Sequence, residues 1–504
     1  MTEDKKVNVA IVGCGNIGFE TARLLCGRHS LVLINHSCPS ELAEWIHQHG
    51  EVSFVLGDAT NPQDMEAALK TFHQRCNKLD ALLSTVGAAC SASAIEDFEG
   101  FEREFLLNVL GNLIPLKAAM ACMVPQGKGK LVIVSSTSGV FTYPGLTAYT
   151  PAKWAVTNLC KALRREIIGN GIFLGVLFPR TIRNRRSRTF LSEKGIEPEA
   201  VARAAAVMLG HGGRADRFIP GRYAMLRPLE QLFPGVLDAR AGLDRGRRRR
   251  LRRRQARSVL ITGAASGLGR ELARLYGRSA ERVYLADRDP DKLSEMKSRM
   301  TRSSNGVIDM IGYDPADRLS VQRCAARVPD PDLLINVVGC GPARHFKDMT
   351  PEQCEAGLQA GFLGPARLIS MLLARETRPG KILNILSASV LRAQPGCACW
   401  AAGHAALWAF TRALRRTYGN DLQVMEAVVD RCPSGSACGG NGNGSNLCAE
   451  RSKAACSAAD VAASHPSDKR IAERIVQSER SGGEIVTVPL GLRFSTCLDR
   501  VFRH

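Results

Sequence analysis

Acidic residues are scarce in this chain: 48 Asp and Glu stand against 68 Lys and Arg, a formal charge of +20 over 504 residues. The imbalance is partly local. Residues 245–257 hold nine arginines and no acid, which excludes a core there and reads as a solvated linker. Aromatic residues are also few, at 6%. None interleaves with the arginine block, which disfavours base stacking and hence a nucleic-acid partner. No uninterrupted apolar run reaches the roughly 18 residues of a spanning helix. The first six residues run straight into an apolar strand-like stretch without the h-region of an export signal. A cytoplasmic location is therefore expected, with the 17 cysteines reduced. Cys397 and Cys399, and the series Cys432, Cys438, Cys448 and Cys456, lack zinc-ligand spacing, and no metal is expected.

What the chain does have, it has twice. Val-Gly-Cys-Gly-Asn-Ile-Gly at 12–18 and Thr-Gly-Ala-Ala-Ser-Gly-Leu-Gly at 262–269 each follow an apolar run and open a helical pattern. This is the context in which a glycine turn cradles a pyrophosphate at a helix N-terminus. Gly13, Gly15, Asn16 and Gly18 form the first such turn, and Gly263, Gly267 and Gly269 the second. Apolar runs at 7–12, 31–34, 52–56, 81–86, 131–135 and 173–178 alternate with helical patterns, and the second half repeats them from 258 to 429. Short tails at 198–219 and 468–488 match as well. The pattern predicts an α/β protein with two Rossmann-type doubly wound parallel sheets in tandem. The expected domains are 1–240, an Arg-rich linker at 241–257, and 258–504. The last of these contains a Gly-, Ser-, Asn- and Cys-rich stretch at 431–467 that reads as a loop.

The halves diverge in reactive side chains. Tyr149 and Lys153 are spaced i, i+4 and share a helix face. A neighbouring ammonium favours the tyrosinate, so the phenol can exchange a proton nearer neutral pH. Ser136, at a strand end thirteen residues before Tyr149, can donate to a carbonyl oxygen. In the second half, Ser387 matches Ser136. The Tyr position is Trp400, the Lys position is His404, and the position of Asn108 falls on Gly361 or, allowing for a gap, Gln359.

Taken in order, the glycine turn, Asp58 after the third strand, Asn108, Ser136 and Tyr149-x-x-x-Lys153 resemble the short-chain dehydrogenase/reductase family, in two copies. The resemblance implies that Tyr149 is the general acid of carbonyl reduction and that Lys153 tunes it and holds the nicotinamide ribose. It assigns Ser136 to orienting the carbonyl and Asn108 to holding a relay water. Gly87, in the segment after the fourth strand, belongs to the cofactor side. An acid at the end of the second strand binds the adenosine ribose diol and repels a 2′-phosphate. Asp287 supplies it in the second copy, whereas the first has Asn35 and His36. The expectation is NADP(H) in the first half, with NAD as the candidate in a second half that is degenerate and without turnover.

The stretch 135–156 is similar to 3-ketodihydrosphingosine reductases and related reductases of long-chain ketones. The expected activity is NADPH-dependent reduction of a ketone on a hydrophobic, long-chain or lipid-like small molecule, with 3-ketodihydrosphingosine as the candidate substrate. The alternatives are a 3-oxoacyl thioester on coenzyme A or a carrier protein, met by Arg180, Arg183, Arg185, Arg186 and Arg188, and a non-catalytic nucleotide-sensing scaffold. Residues 222–237, with Arg222 and Arg227 among apolar residues, suit contact with a membrane surface. The family's dimer helices imply an intrachain pseudo-dimer or a homo-oligomer.

Overall fold

The computed structural model describes residues 6–88, 95–183, 195–232, 234–240, 255–301, 304–339, 341, 343–429, 468–481 and 485–488. The first half contributes β1 (Asn8–Val12), β2 (Ser30–Asn35), β3 (Val52–Leu56), β4 (Ala81–Ser84), β5 (Gly129–Val134), β6 (Ile172–Pro179) and β7 (Asp216–Ile219). The second contributes β8 (Ser258–Thr262), β9 (Arg282–Asp287), β10 (Val307–Gly312), β11 (Leu333–Val337), β12 (Lys381–Ser387), β13 (Gln423–Val429) and β14 (Ile485–Val488). Each half forms a seven-stranded sheet, in the orders β3-β2-β1-β4-β5-β6-β7 and β10-β9-β8-β11-β12-β13-β14. The strands of each sheet are parallel throughout. β1 and β8 are apolar almost without interruption, as strands covered on both faces must be. In both sheets the order reverses beside the first strand, which opens a crevice at the carboxyl ends.

Local signals set several helix starts. Asn61 accepts from the amides of Gln63 and Asp64 ahead of the helix Pro62–Cys76, with Pro62 in its first turn. Thr350 and Gln353 close a capping box at Pro351–Leu358. Beyond that point the structure departs from expectation. A single helix over 351–374 is expected, but a π-turn at Gln359–Leu363 separates Pro351–Leu358 from Gly364–Leu373. Such a turn winds in one extra residue. It lies where two backbones meet, since a Cβ on Gly361 would stand 3.3 Å from the Cα of Gly403.

The halves pack against each other. Helix Tyr149–Glu166 lies along Ala398–Tyr418, and Trp154 meets Trp408 edge-on, with centroids 5.1 Å apart. Phe105 packs on Phe362 at 4.7 Å, and Phe362 on Phe410 at 5.7 Å. Helix Phe98–Gln126 and the segment Pro351–Leu373 are each long and apolar enough to cross a membrane by composition, yet most of that surface is buried. One contiguous apolar core includes residues of both halves. Polar ties edge it. Lys117 Nζ donates to the carbonyls of Phe346 and Lys347 at 3.1 and 3.0 Å. Glu166 accepts from the amides of Phe346 and Gly396 at 2.8 and 2.9 Å.

Deeper still is a network of six charges. Arg412, Arg415 and Arg416 meet Glu426 of β13 and Glu230 and Asp238 of the first half. All six side chains are buried.

Candidate active site

The first glycine turn is built to leave a helix N-terminus open. Gly13 has φ +89°, in the left-handed region that a side chain resists. A Cβ on Gly18 would run into the Gly13 carbonyl, so the turn and helix can close only with glycine there. Gly15 faces open space and precedes the helix Asn16–Leu25 with no side-chain cap. The first-turn amides therefore face outward, the arrangement that suits a pyrophosphate. Thr85, which sequence reasoning missed, braces the turn by donating to the Gly13 carbonyl at 2.6 Å.

Asn35 ties the end of β2 to the glycine turn. Its Oδ1 accepts from the Cys14 amide at 3.1 Å, and its Nδ2 donates to the Ser37 carbonyl at 2.7 Å. Its amide therefore holds the turn. Asp287 does the same in the second half, accepting from Ala265 N at 2.9 Å. His36 is exposed beside Asn35. Asp58 is exposed too, and its Oδ1 accepts from the amide and hydroxyl of Thr60 at 2.8 Å each. Burial pushes the Cys14 thiol up to about 12, with Cys38 adding to the shift, so this cysteine is a packing residue.

The reactive set comes together around Gly87. A Cβ there would lie 2.7 Å from Lys153 Nζ and 2.8 Å from Asn108 Oδ1, so glycine is what lets these groups converge. Lys153 is buried, and its Nζ lies 5.5 Å from the centroid of the Tyr149 ring. Asn108 Nδ2 donates to the carbonyls of Glu104 at 2.8 Å and Ala88 at 3.2 Å. That fixes the side-chain amide and leaves Oδ1 toward Gly87. Asn112, one turn on, was not anticipated. Its Nδ2 donates to Val86 O at 3.0 Å and its Oδ1 accepts from Ser84 Oγ at 2.7 Å, which secures the loop that carries Gly87. The pair Asn108 and Asn112 at i, i+4 was the available signal. Ser136 ends its strand with Oγ accepting from Ser138 N at 3.2 Å. The preceding serine, Ser135, is hydrogen-bonded to Thr157 on the Tyr149 helix at 3.1 Å, tying strand to helix.

The loop between Ser136 and Tyr149 is held from the other half. Arg416 Nη1 donates to Thr142 O at 2.5 Å, and Gly145 N donates to Thr417 Oγ1 at 3.0 Å. Thr142 N in turn donates to Glu230 at 3.4 Å. Nothing in the local sequence signals this brace.

The second half keeps the frame and loses the proton donor. Gly263 has φ +64°, and Gly269 packs on its carbonyl. Ser266 caps the helix Gly267–Gly277 by accepting from Gly269 N. His404 is fully buried, with Nδ1 accepting from Ser387 N at 3.3 Å and Nε2 3.2 Å from Gly339 O. With Nδ1 accepting from a backbone amide, Nε2 faces a carbonyl acceptor. His404 thus joins two backbone segments and is not placed as an acid. The Trp400 indole lies against Gly341, where a Cβ would collide with it. Gly111 packs near Ala59, which follows the β3 end at Leu56, and Gly364 packs against Pro315, which follows the β10 end at Gly312 by the same interval. The π-turn at Gln359–Leu363, with its extra residue, falls just before Gly364 and across the place that matches Asn108.

Other expected residues separate. Arg183 pairs with Glu197 at 2.6 Å. Arg185, Arg186 and Arg188 lie outside the described residues, as do residues 241–254, Cys432, Cys438, Cys448 and Cys456. Arg227 does not face outward as a membrane-contact residue would. It pairs with Asp216 at 2.6 Å, and its guanidinium lies 5.3 and 5.4 Å from the Phe178 and Phe218 rings. Among the described residues, no three His, Cys, Asp or Glu side chains are grouped to hold a metal.

Comparison with known proteins agrees with this geometry. The chain is 28% identical over 204 residues to 2-(S)-hydroxypropyl-CoM dehydrogenase 3 of Xanthobacter autotrophicus, covering 39% of this chain and 80% of that protein. It is 32% identical over 117 residues to the Bos taurus 3-ketodihydrosphingosine reductase, covering 23% of this chain and 35% of that one. In structure it resembles the NADP-bound C-domain of a bacterial malonyl-CoA reductase, with a TM-score of 0.68 and 13% identity over 97% of this chain and 99% of that one. The N-domain of a bacterial malonyl-CoA reductase aligns at TM-score 0.63 and 15% identity, over 84% of this chain and 91% of that one. At these identities the structural likeness speaks for the fold alone. Residues 7–193 and 257–429 both match the short chain dehydrogenase family, and the chain belongs to that family of oxidoreductases, in two copies.

Proposed function

We propose that the first half, residues 1–240, is an NADPH-dependent ketone reductase with one active site and that the second half, 258–504, is a non-catalytic partner. The observation that carries this reading is the convergence of Lys153 and Asn108 on Gly87 beside Tyr149, against the backbone-locked His404 at the matching place. The open helix N-terminus at Gly15 and the glycines at 13 and 18 fit a dinucleotide pyrophosphate. Gly87 leaves room for the nicotinamide ribose beside Lys153. Bound there, the nicotinamide supplies the hydride that the protein's own side chains cannot. Ser136 donates to the carbonyl oxygen and orients it, and Tyr149 gives that oxygen its proton. Lys153 favours the tyrosinate left behind, and Asn108 holds the helix and loop in register for proton resupply. The absence of a carboxylate at Asn35, with exposed His36 next to it, favours the 2′-phosphate of NADPH. Asp287 favours NAD if the second half binds a nucleotide.

For the substrate, a ketone on an apolar chain is supported by Met225, Leu229 and Val236, large hydrophobic residues exposed after β7. They also support a peripheral membrane contact. The likeness to a 3-ketodihydrosphingosine reductase favours a long-chain ketone, and Arg180, with no carboxylate partner among the described residues, favours the second reading, a 3-oxoacyl substrate with an acidic group. The test is NADPH oxidation with a panel of ketones. No oxidation with any ketone, by protein that is folded and binds NADPH, would refute the reductase reading.

A further inference from the structure

Three strand ends meet on the substrate side of Ser136. The β5–β6 register pairs Val134 with Leu177, and the β6–β7 register pairs Pro179 with Ile219. Ser135 N donates to Leu177 O at 2.9 Å, and Arg180 N to Ile219 O at 3.0 Å. There the β5–β6 pairing ends: Ser136 leads into the 3₁₀ turn Thr137–Gly139, and Arg180 directly follows β6. Its guanidinium lies 5.7 Å from the centroid of the Tyr223 ring, and that of Arg222 lies 5.6 Å from the same ring. Tyr143 lies close to Thr137, Tyr223 and Arg180 and completes this wall.

Two arginines near this end of the sheet are paired, Arg183 with Glu197 and Arg227 with Asp216. Glu230, whose charge is felt at Tyr143, is held by Arg412 and Arg416. Among the described residues, Arg180 and Arg222 have no carboxylate within ion-pair distance. Arg180 is half-buried and Arg222 exposed, so a positive charge with no carboxylate partner among the described residues stands after β6.

We infer that Arg180 is a specificity residue that binds an anionic group, a carboxylate or an isosteric phosphonate, carried by the ketone a few bonds from its carbonyl. This rests on the ketone-reducing reading of Ser136 and Tyr149. A guanidinium forks onto two anionic oxygens, and its stacking on Tyr223 fixes its plane for that geometry. The same charge disfavours an ammonium next to the carbonyl, so amino ketones should be poor substrates.

The test uses the full chain with NADPH and four small probes: acetoacetate, acetonylphosphonate, neutral 2,4-pentanedione and aminoacetone. The expected order of kcat/KM places both anions above the neutral ketone and aminoacetone last. Arg180→Met should raise KM for the two anions by about tenfold or more, with kcat and the neutral ketone little changed, and Arg180→Lys should recover part of the loss. A preference for acetonylphosphonate over acetoacetate would assign the site to the dianion, and the reverse to a carboxylate. Calorimetric binding of each anion to the NADP⁺-loaded protein reads the site without turnover. Absence of binding in the unaltered protein, or equal KM changes for charged and neutral ketones in Arg180→Met, would overturn the inference. Binding that depends on Arg180 but without turnover of any probe would overturn the reductase reading alone.

Discussion

Arg416 is where the second half reaches furthest into the first, and replacing it by methionine tests why the two halves stay together. Its guanidinium donates to Asp238 at 2.8 Å, to both Glu230 oxygens at 3.0 Å and to the Thr142 carbonyl at 2.5 Å. The network balances three arginines, 412, 415 and 416, against Glu230, Asp238 and Glu426. Methionine keeps most of the volume and leaves one buried negative charge uncompensated. Breaking a buried pair by removing one partner typically costs about 3–5 kcal/mol, a large share of the roughly 5–15 kcal/mol that holds a domain folded. The assay is guanidinium denaturation followed by tryptophan fluorescence, with Trp154 and Trp408 at the contact as reporters. The same variant should lower kcat even under conditions where it stays folded, because the loop before Tyr149 loses its Thr142 anchor. Thr417→Val, which removes the acceptor for Gly145 N and a local helix hydrogen bond to the Ala413 carbonyl, should lower kcat with little loss of stability. A loss of about 1 kcal/mol or less in Arg416→Met, the value of an exposed pair, would refute the argument that this network joins the halves.

Further expectations follow from the same geometry. Tyr149→Phe should lower turnover by about 10²–10⁴-fold, while Trp400→Phe leaves it nearly unchanged; steady-state ketone reduction compares them, and equal losses would mean two active sites. Asn35→Asp should keep the bond from the Cys14 amide, as Asp287 does from Ala265 N, while losing the donation to Ser37 O, and should weaken NADPH more than NADH; dissociation constants for both cofactors read it. Burial alone would push the Glu426 carboxyl up, but Arg412 and Arg415 override it and hold it at about 2. A folded value below the unfolded one of about 4.5 gives stability that is present above that pH and lost as pH falls toward 2. Unfolding free energies between pH 6 and 3 should show this, and an unchanged slope in Glu426→Gln would argue against it. A chain ending at Arg240 should expose the apolar helix pair and strip Glu230 and Asp238 of their arginines, leading to self-association in size-exclusion chromatography; a well-behaved monomer would count against the interface.

The sheet and its crevice were legible in the sequence because parallel strands buried on both faces must be apolar throughout, as in β1 and β8, and because glycine is the residue that fits where Gly13 and Gly263 turn left-handed. The i, i+4 spacing of Tyr149 and Lys153 places them on one helix face by helix geometry alone. The π-turn at Gln359–Leu363 was not legible, since it answers to the close approach of Gly403 on another helix. The bond from the Cys14 amide to Asn35 was not legible either, because it depends on the turn after β1 arriving at the end of β2.

The amino-acid sequence by itself determined the two α/β units, their glycine turns and the fact that only one copy carries Tyr and Lys at the reactive positions. These follow from short-range rules: hydrophobic period, backbone freedom and side-chain chemistry. The tertiary structure alone decided that His404 is locked between Ser387 and Gly339, that Arg180 stacks on Tyr223 with no carboxylate partner among the described residues, and that Arg416 and Thr417 brace the loop leading to Tyr149. Each depends on groups far apart in the chain arriving within hydrogen-bonding or stacking distance. Whether a charge is paired is a property of the packed molecule, and residue type alone does not carry it.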